Sequence, residues 1–304
     1  MHEKIPKEEN LSDIKAIVFA LVAYLCFSLA DSLVKYVGAH VETFIILFWD
    51  GCFIILLMGC YVLLGKGWSA IKTDKLKFHL IKGVFSTIMA WLAIYGVTVT
   101  SLSEFYMLAF TAPMWVVVFS MLMLKERFDI KRVFFVLVGF AVIIWTVLPP
   151  DGQLLSIDKG TLAVLAFAMG IGFNMIFIRK YLKGETVALL GGFNSLVIVA
   201  SLFWYALPRT DAEVISFMPH MALIGFFVFY AIVTLSKAYH IVSHAAVIAP
   251  FHYSQMLYGV LIGYFVFSEV PSSRTLIGSV ALLIIGLGLF WYDYNNNKNL
   301  KRYA

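Results

Sequence analysis

Three carboxylates, a histidine and a set of amides and hydroxyls stand inside long apolar stretches of this 304-residue chain. Asp31, Asp50 and Glu104 carry the strongest chemical signal, because an ionised carboxylate in hydrocarbon costs several kcal/mol unless it faces protein or a wet cavity. Such a group can hold a cation or pair with a basic side chain. For Asp31 both uses stand: Lys35 is four residues on, on the same helix face, so an ion pair along the helix would satisfy it. Asp50 has no such local partner, and Glu104 reads as either a site carboxylate or an interfacial one. At middle depth come Asn174, Asn194 with Ser195, Tyr230, and the four consecutive polar residues His252, Tyr253, Ser254 and Gln255. Four polar residues in a row point all around a helix just after Pro250, so at least one should line a cavity. His252 titrates near neutral pH, which suits coupling to protons, and also suits a satisfied interior histidine. Trp91, Tyr106, Tyr230 and Tyr253 lie in the same stretches, and ring faces beside carboxylates favour an ammonium or sulfonium group.

The elements that carry these residues must be membrane helices. The chain is 62% hydrophobic and 13% charged, with a mean hydropathy of +0.90. A soluble domain needs roughly 25% charged residues, so composition excludes an ordinary soluble protein. Apolar runs of helix length occupy residues 14–37, 43–64, 78–96, 102–123, 130–148, 160–178, 187–207, 219–238, 244–267 and 274–292. They are continuously apolar and about twice the length of a barrel strand, which gives an all-α membrane protein of ten transmembrane helices. Before them lies a polar segment, 1–13, without a cleavage pattern, and after them a polar, Asn-rich segment, 293–304, expected to be mobile. Between Lys66 and Lys77, Trp68 and Ile71 suit a turn lying on anionic headgroups, or a solvated basic loop.

Basic residues set the orientation. Nineteen of the 23 Lys and Arg residues fall on one side of a ten-span topology, and only Lys35, Lys159, Arg209 and Arg274 fall on the other. This bias places both termini in the cytoplasm of a cell whose inner membrane holds the chain. The net charge of +5 therefore reports topology, and no nucleic-acid partner is implied. Cys26, Cys52 and Cys60 all sit in apolar runs and read as packing residues.

Two segments look alike. Ala112-Pro113-Met114 runs to Lys125-Glu126 and a following span ending at Trp145; Ala249-Pro250-Phe251 runs to Ser268-Glu269 and a span ending at Trp291. Each closes a set of five spans, and an odd number makes the second set enter the membrane inverted. The chain thus divides into a 1–13 cytoplasmic tail, a first repeat at 14–148, a periplasmic linker at 149–159, a second repeat at 160–292 and a 293–304 cytoplasmic tail. The stretches Ser103-Glu104-Phe105-Tyr106-Met107-Leu108-Ala109-Phe110-Thr111-Ala112-Pro113 and Ala249-Pro250-Phe251-His252-Tyr253 resemble the EamA repeats of the drug/metabolite transporter superfamily. That resemblance implies a 5+5 inverted carrier for a small metabolite, with export favoured. The chain departs from many relatives at Trp49-Asp50, where they carry a basic residue, and at His252, where they place a carboxylate.

No phosphate-binding loop, nucleophile elbow or zinc-protease motif occurs, and His240 with His244 lacks the intervening Glu. The expectation is a carrier and not an enzyme, with no catalytic residue, metal or cofactor. Its partners are then the lipid bilayer, a small polar metabolite (an amino acid, amine or related zwitterion) and protons as coupling ion, in a monomer or weak homodimer. The substrate site draws on Asp31, Asp50, Trp91, Glu104, Asn174, Asn194, Tyr230, His252, Tyr253 and Gln255. A flippase for a lipid-linked substrate is the alternative. Gly259 and Gly263 suit close helix packing, and Pro113 and Pro250 should kink their helices.

Overall fold

A computed structural model describes residues 7–125, 130–147, 158–242 and 248–302. These residues are all-helical, without a strand among them. The principal helices are α1 (Lys7–Val37), α2 (Thr43–Tyr61), α3 (Leu76–Val99), α4 (Leu102–Ala109), α5 (Ala112–Leu124), α6 (Ile130–Val147), α7 (Lys159–Tyr181), α8 (Asn194–Ala206), α9 (Ala212–Ser216), α10 (Met218–Ile241), α11 (Ser254–Phe267) and α12 (Ser273–Arg302). Among the described residues, seven helical stretches are long and apolar enough to cross a membrane: Ser12–Val37, Thr43–Gly65, Leu76–Val99, Leu102–Leu124, Lys159–Tyr181, Ala188–Arg209 and Met218–Ile241. Val133–Thr146 and Ser273–Leu289 are apolar but shorter. The run at 244–267 is a 3-10 turn, Ala249–Tyr253, leading into α11, with 243–247 outside the described residues.

Local sequence sets most boundaries. The Ser101 hydroxyl accepts from the Glu104 N–H at 3.2 Å and starts α4, and the Asp158 carboxylate accepts from the Thr161 N–H at 2.9 Å and starts α7. Pro113 falls in the first turn of α5, so the run 102–123 is broken at Phe110–Thr111 and not merely kinked. Pro250 sits in the first turn of the 3-10 segment before α11. Both α5 and α11 end on a left-handed residue, Lys125 and Ser268, each with φ 55°. Helix α12 continues to Arg302, through the segment expected to be a mobile tail. Of the expected 149–159 linker, 149–157 lies outside the described residues, and Asp158 and Lys159 belong to the start of α7. Trp68 is 68% exposed on the 3-10 turn Trp68–Ile71, while Ala70 anchors that turn in the interior.

Helix α1 lies along α10, where Ala16, Ala20 and Ala23 are buried together with Ala231 and Ala238. Small residues on both sides let the two backbones approach, which is how helices associate where water provides no drive. Helix α2 packs on α8 and α10, α3 on α7 and α8, α5 on α7, α6 on α12, and α11 on α1 and α4. The α4–α11 contact needs glycine. A Cβ at Gly259 would overlap the Tyr106 ring, and one at Gly263 would stand 2.9 Å from Glu269 Oε2. The Gly-x-x-x-Gly face is therefore a packing surface.

Candidate functional site

The α4–α5 break and the 3-10 turn before α11 meet around Asp31. On α1, Asp31 accepts a hydrogen bond from the Tyr106 hydroxyl of α4 at 2.6 Å. The Tyr106 ring stacks on Phe110, the first residue of the α4–α5 break, with centroids 6.4 Å apart. Phe110 in turn meets His252 edge-on at 5.4 Å and Tyr253 at 5.1 Å, both in the 3-10 turn before α11. His252 stacks on Tyr24 of α1 at 5.0 Å, and Gln255 is buried beside it. Two hydroxyls at these breaks, Thr111 Oγ1 and Ser254 Oγ, are buried without a hydrogen-bond partner. Buried polar groups are normally paired, and their accumulation where two helices lose regular hydrogen bonding marks a place suited to a polar ligand.

Lys35 does not pair with Asp31. Its ammonium stands 2.7 Å from Glu269 Oε1 and also donates to the Thr100 carbonyl, so the ion pair read along α1 is replaced by one that bridges α1 and the end of α11. The reason is geometric: at the end of its helix, Lys35 reaches the free carbonyls that close α3, whereas Asp31 is already held by Tyr106.

The other expected site residues are distributed. Asp50 on α2 faces Gly225 of α10, where a Cβ would stand 2.6 Å from Phe53 Cβ but in ordinary contact with Asp50; its Oδ1 is buried and has no hydrogen-bond partner among the described residues. Asn174 on α7 also has a buried, unpartnered Oδ1. Trp91 stacks between Phe44 and Tyr95, with centroids 5.8 Å away on each side. Tyr230 is 43% exposed on a face of α10 shared with Leu223 and Phe226, so the structure does not bring it to the Asp31 cluster. Glu104 lies instead on a cavity of about 350 Å³ at the basic-poor end, with Asp158, Thr161 and Thr275. There the Thr161 hydroxyl is 2.7 Å from Asp158 Oδ2 and 3.2 Å from Glu104 Oε1. Burial acts to raise the Asp158 carboxyl, but the donors of Thr161 outweigh it and hold the group below the usual carboxylate range.

Asn194 is engaged at the opposite, basic-rich end. Lys82, which the sequence places with the loop lysines, is only 6% exposed and donates to the Leu190 carbonyl at 3.0 Å, with Asn194 Oδ1 at 3.5 Å. Leu190 lies in a π-helical turn, Ala188–Phe193, whose widened pairing leaves that carbonyl available. Nearby, His79 Nε2 is 2.9 Å from Glu185 and Lys75 3.6 Å from it. Burial acts to raise the Glu185 carboxyl, and the contacts with His79, Thr73 and Lys75 outweigh it and hold it below its usual range.

Sequence reasoning missed Tyr24 and Phe110, whose aromatic partners come from other helices, and Lys35 and Glu269, whose contact spans the chain. The Pro113 signal could have found Phe110, since the residues before a helix-starting proline are those a break exposes.

Helices of this length and apolarity define a multi-pass membrane protein, and the polar cluster between the α4–α5 break and the turn before α11 is its candidate site. Residues 14–148 match the EamA-like transporter family, the resemblance read from the stretch Ser103 to Pro113. The chain is similar to the S-adenosylmethionine uptake transporter of Rickettsia conorii, with 26% identity over 93% of each chain. It is also similar to the pseudopaline exporter CntI of Pseudomonas aeruginosa, 23% identical over 90% of this chain and 95% of that one. A solved crystal structure shares the fold, with a TM-score of 0.58 at 17% identity over 90% of this chain and 95% of the other. Over most of its length the chain is thus similar to small-metabolite transporters.

Proposed function

We propose that this protein carries a small cationic or zwitterionic metabolite across a bacterial inner membrane by alternating access, in ten passes built as two inverted halves. The observation that carries the reading is the meeting of the helix break Phe110–Thr111 with the 3-10 turn Ala249–Tyr253 at the Asp31 cluster, since interruptions of regular helix at a repeat interface are where secondary carriers bind cargo. The packing supports it. Pairing α1 with α7, α2 with α8, α3 with α10, the α4–α5 segment with α11, and α6 with α12 exchanges the contact α1–α10 with α7–α3, and α2–α10 with α8–α3, and leaves α2–α8 and α6–α12 in place. Such an exchange is what two states of one carrier require.

Asp31 and Asp50 supply negative charge without a basic partner, and Tyr106, Phe110 and His252 supply ring faces around the first. Together they suit a sulfonium or ammonium group, the chemistry of S-adenosylmethionine, which a relative takes up. Import and export both occur among the similar proteins, so direction follows from the cell's gradients and not from the site. Purified protein in liposomes tests the reading. Saturable counterflow of radiolabelled S-adenosylmethionine, or of an amino acid or amine that competes with it, supports a carrier; translocation of labelled lipid without solute counterflow overturns it in favour of a flippase. A reporter phosphatase fused after Ala304 should be inactive, in keeping with cytoplasmic termini.

A further inference from the structure

The proposed carrier needs a barrier between the Asp31 cluster and the basic-poor, outer side, and one polar contact stands directly above that cluster. Lys35 is one helical turn outward from Asp31 on α1. Its ammonium meets Glu269 Oε1 at 2.7 Å and the carbonyls of Val97 and Thr100, which close α3. The other oxygen of Glu269 accepts the Leu102 N–H at 2.9 Å, in the first turn of α4. Helix N-termini favour an anion, so Glu269 is drawn to this seat by both the free N–H and the ammonium. Both side chains are mostly covered, at 14% and 18% exposure, which screens the pair from solvent more than a surface pair would be. Ser268, in the left-handed conformation, turns the chain at the end of α11 so that Glu269 folds back onto Gly263 and α4.

Among the described residues three elements meet at this contact, α1, the α3–α4 corner and the end of α11, and the same three carry Asp31, Tyr106 and the 3-10 turn with His252 below it. Separating α11 from α4 would uncover the site, and the Lys35–Glu269 contact is what the structure places across that seam. We propose that Lys35 and Glu269, seated on the first turn of α4, are the outer gate of the carrier: joined, they close the path to Asp31, and their separation opens it. This rests on the transport reading for its purpose, but not for its test.

The test reads access to Ser28, which is 1% exposed and lies on α1 one turn inward from Asp31. Ser28→Cys is placed in a chain whose Cys26, Cys52 and Cys60 are replaced, and a charged, membrane-impermeant methanethiosulfonate reagent is applied to right-side-out or inside-out vesicles. Labelling from outside should be slow with the gate intact. Glu269→Gln or Lys35→Met should each speed it about tenfold from outside without speeding it from inside. Because the two act as one contact, the double variant should label no faster than either single one. Rates unchanged by both substitutions, effects that multiply in the double variant, or equal acceleration from both sides, the mark of general loosening, would each overturn the gate. Labelling needs no cargo, so a failure of counterflow with the gated labelling pattern retained would count against the transport reading and not against the gate.

Discussion

Replacing Asp31 by Asn separates the two tasks this carboxylate has. Its Oδ2 accepts the Tyr106 hydroxyl at 2.6 Å, and the amide oxygen of Asn can accept the same bond with almost the same shape. A hydrogen bond to a charged group contributes about 1.5–3 kcal/mol and a neutral one about 0.5–1.5, so the change should cost the fold on the order of 1 kcal/mol, offset by removal of a desolvated charge. Cation binding has no such substitute. Loss of a charge-assisted contact of about 1.5–3 kcal/mol, at 1.4 kcal/mol per decade, weakens a cationic cargo roughly 10- to 150-fold. Tyr106→Phe is the matched control: it removes the hydroxyl, keeps the carboxylate and should leave affinity within a few-fold. Calorimetry in lipid nanodiscs, with S-adenosylmethionine as the probe, measures both, and elution as a folded monodisperse species checks integrity. If Asp31→Asn binds within twofold of the parent, or loses no more than Tyr106→Phe, then Asp31 is a structural acceptor and the cluster is not the cation site.

Asp50 should behave in the opposite sense on stability: its Oδ1 is buried without a partner, so Asp50→Asn relieves an uncompensated charge and should raise the thermal midpoint while transport falls, measured on one preparation by melting and counterflow. Gly259→Ala forces a methyl into the Tyr106 ring and should cost about 1–3 kcal/mol, whereas Gly59→Ala, with nothing within 4 Å, should be neutral or stabilising by up to about 1 kcal/mol; denaturation of the two variants compares them directly. Glu185 has its carboxyl held below the usual range, so its contribution is present above the unfolded value of about 4.3 and is lost as pH falls through the lower folded value; melting scans from pH 7 to 3 should show an acid limb that Glu185→Gln flattens.

The helices were legible because lipid imposes one rule, continuous apolarity over about 20 residues, which runs such as 43–64 and 160–178 obey without ambiguity. The breaks were legible only as prolines. Pro113 and Pro250 announce an interruption, but whether the chain kinks or stops depends on what fills the gap, and that is Phe110 and Tyr253 meeting from distant parts of the sequence. Depth arithmetic singled out Asp31, Asp50 and His252, since an unusual residue in an apolar run is conspicuous wherever it points. It could not tell Tyr230, on an exposed face of α10, from Tyr253 in the interior, because a run that is apolar all round leaves no stripe to read. Lys82 was hidden for the converse reason: near the end of its span it resembles a loop lysine, and only the carbonyl of Leu190 draws it inside. The Lys35–Glu269 contact joins residues from opposite ends of the chain, and the local partner Asp31 was the nearer guess.

The central helices α2 and α8 share a feature at their basic-rich ends alone. One ends in the π-helical turn Val62–Lys66, the other begins after the π-helical turn Ala188–Phe193, and Met58, Val62, Ala70 and Ala188 pack together there. At the other end, α2 starts directly at Thr43 and α8 closes in the tight 3-10 turn Leu207–Arg209. A π turn holds one residue more than its hydrogen-bond pattern would need as an α-helix, a spare link in the ladder. Taking it up would rotate the adjoining helix by about 100°, one residue's worth, without stretching the chain. The spare residue thus sits at the basic-rich ends of both helices, and Asn194, the first residue past it in α8, is the side chain such a rotation would move first.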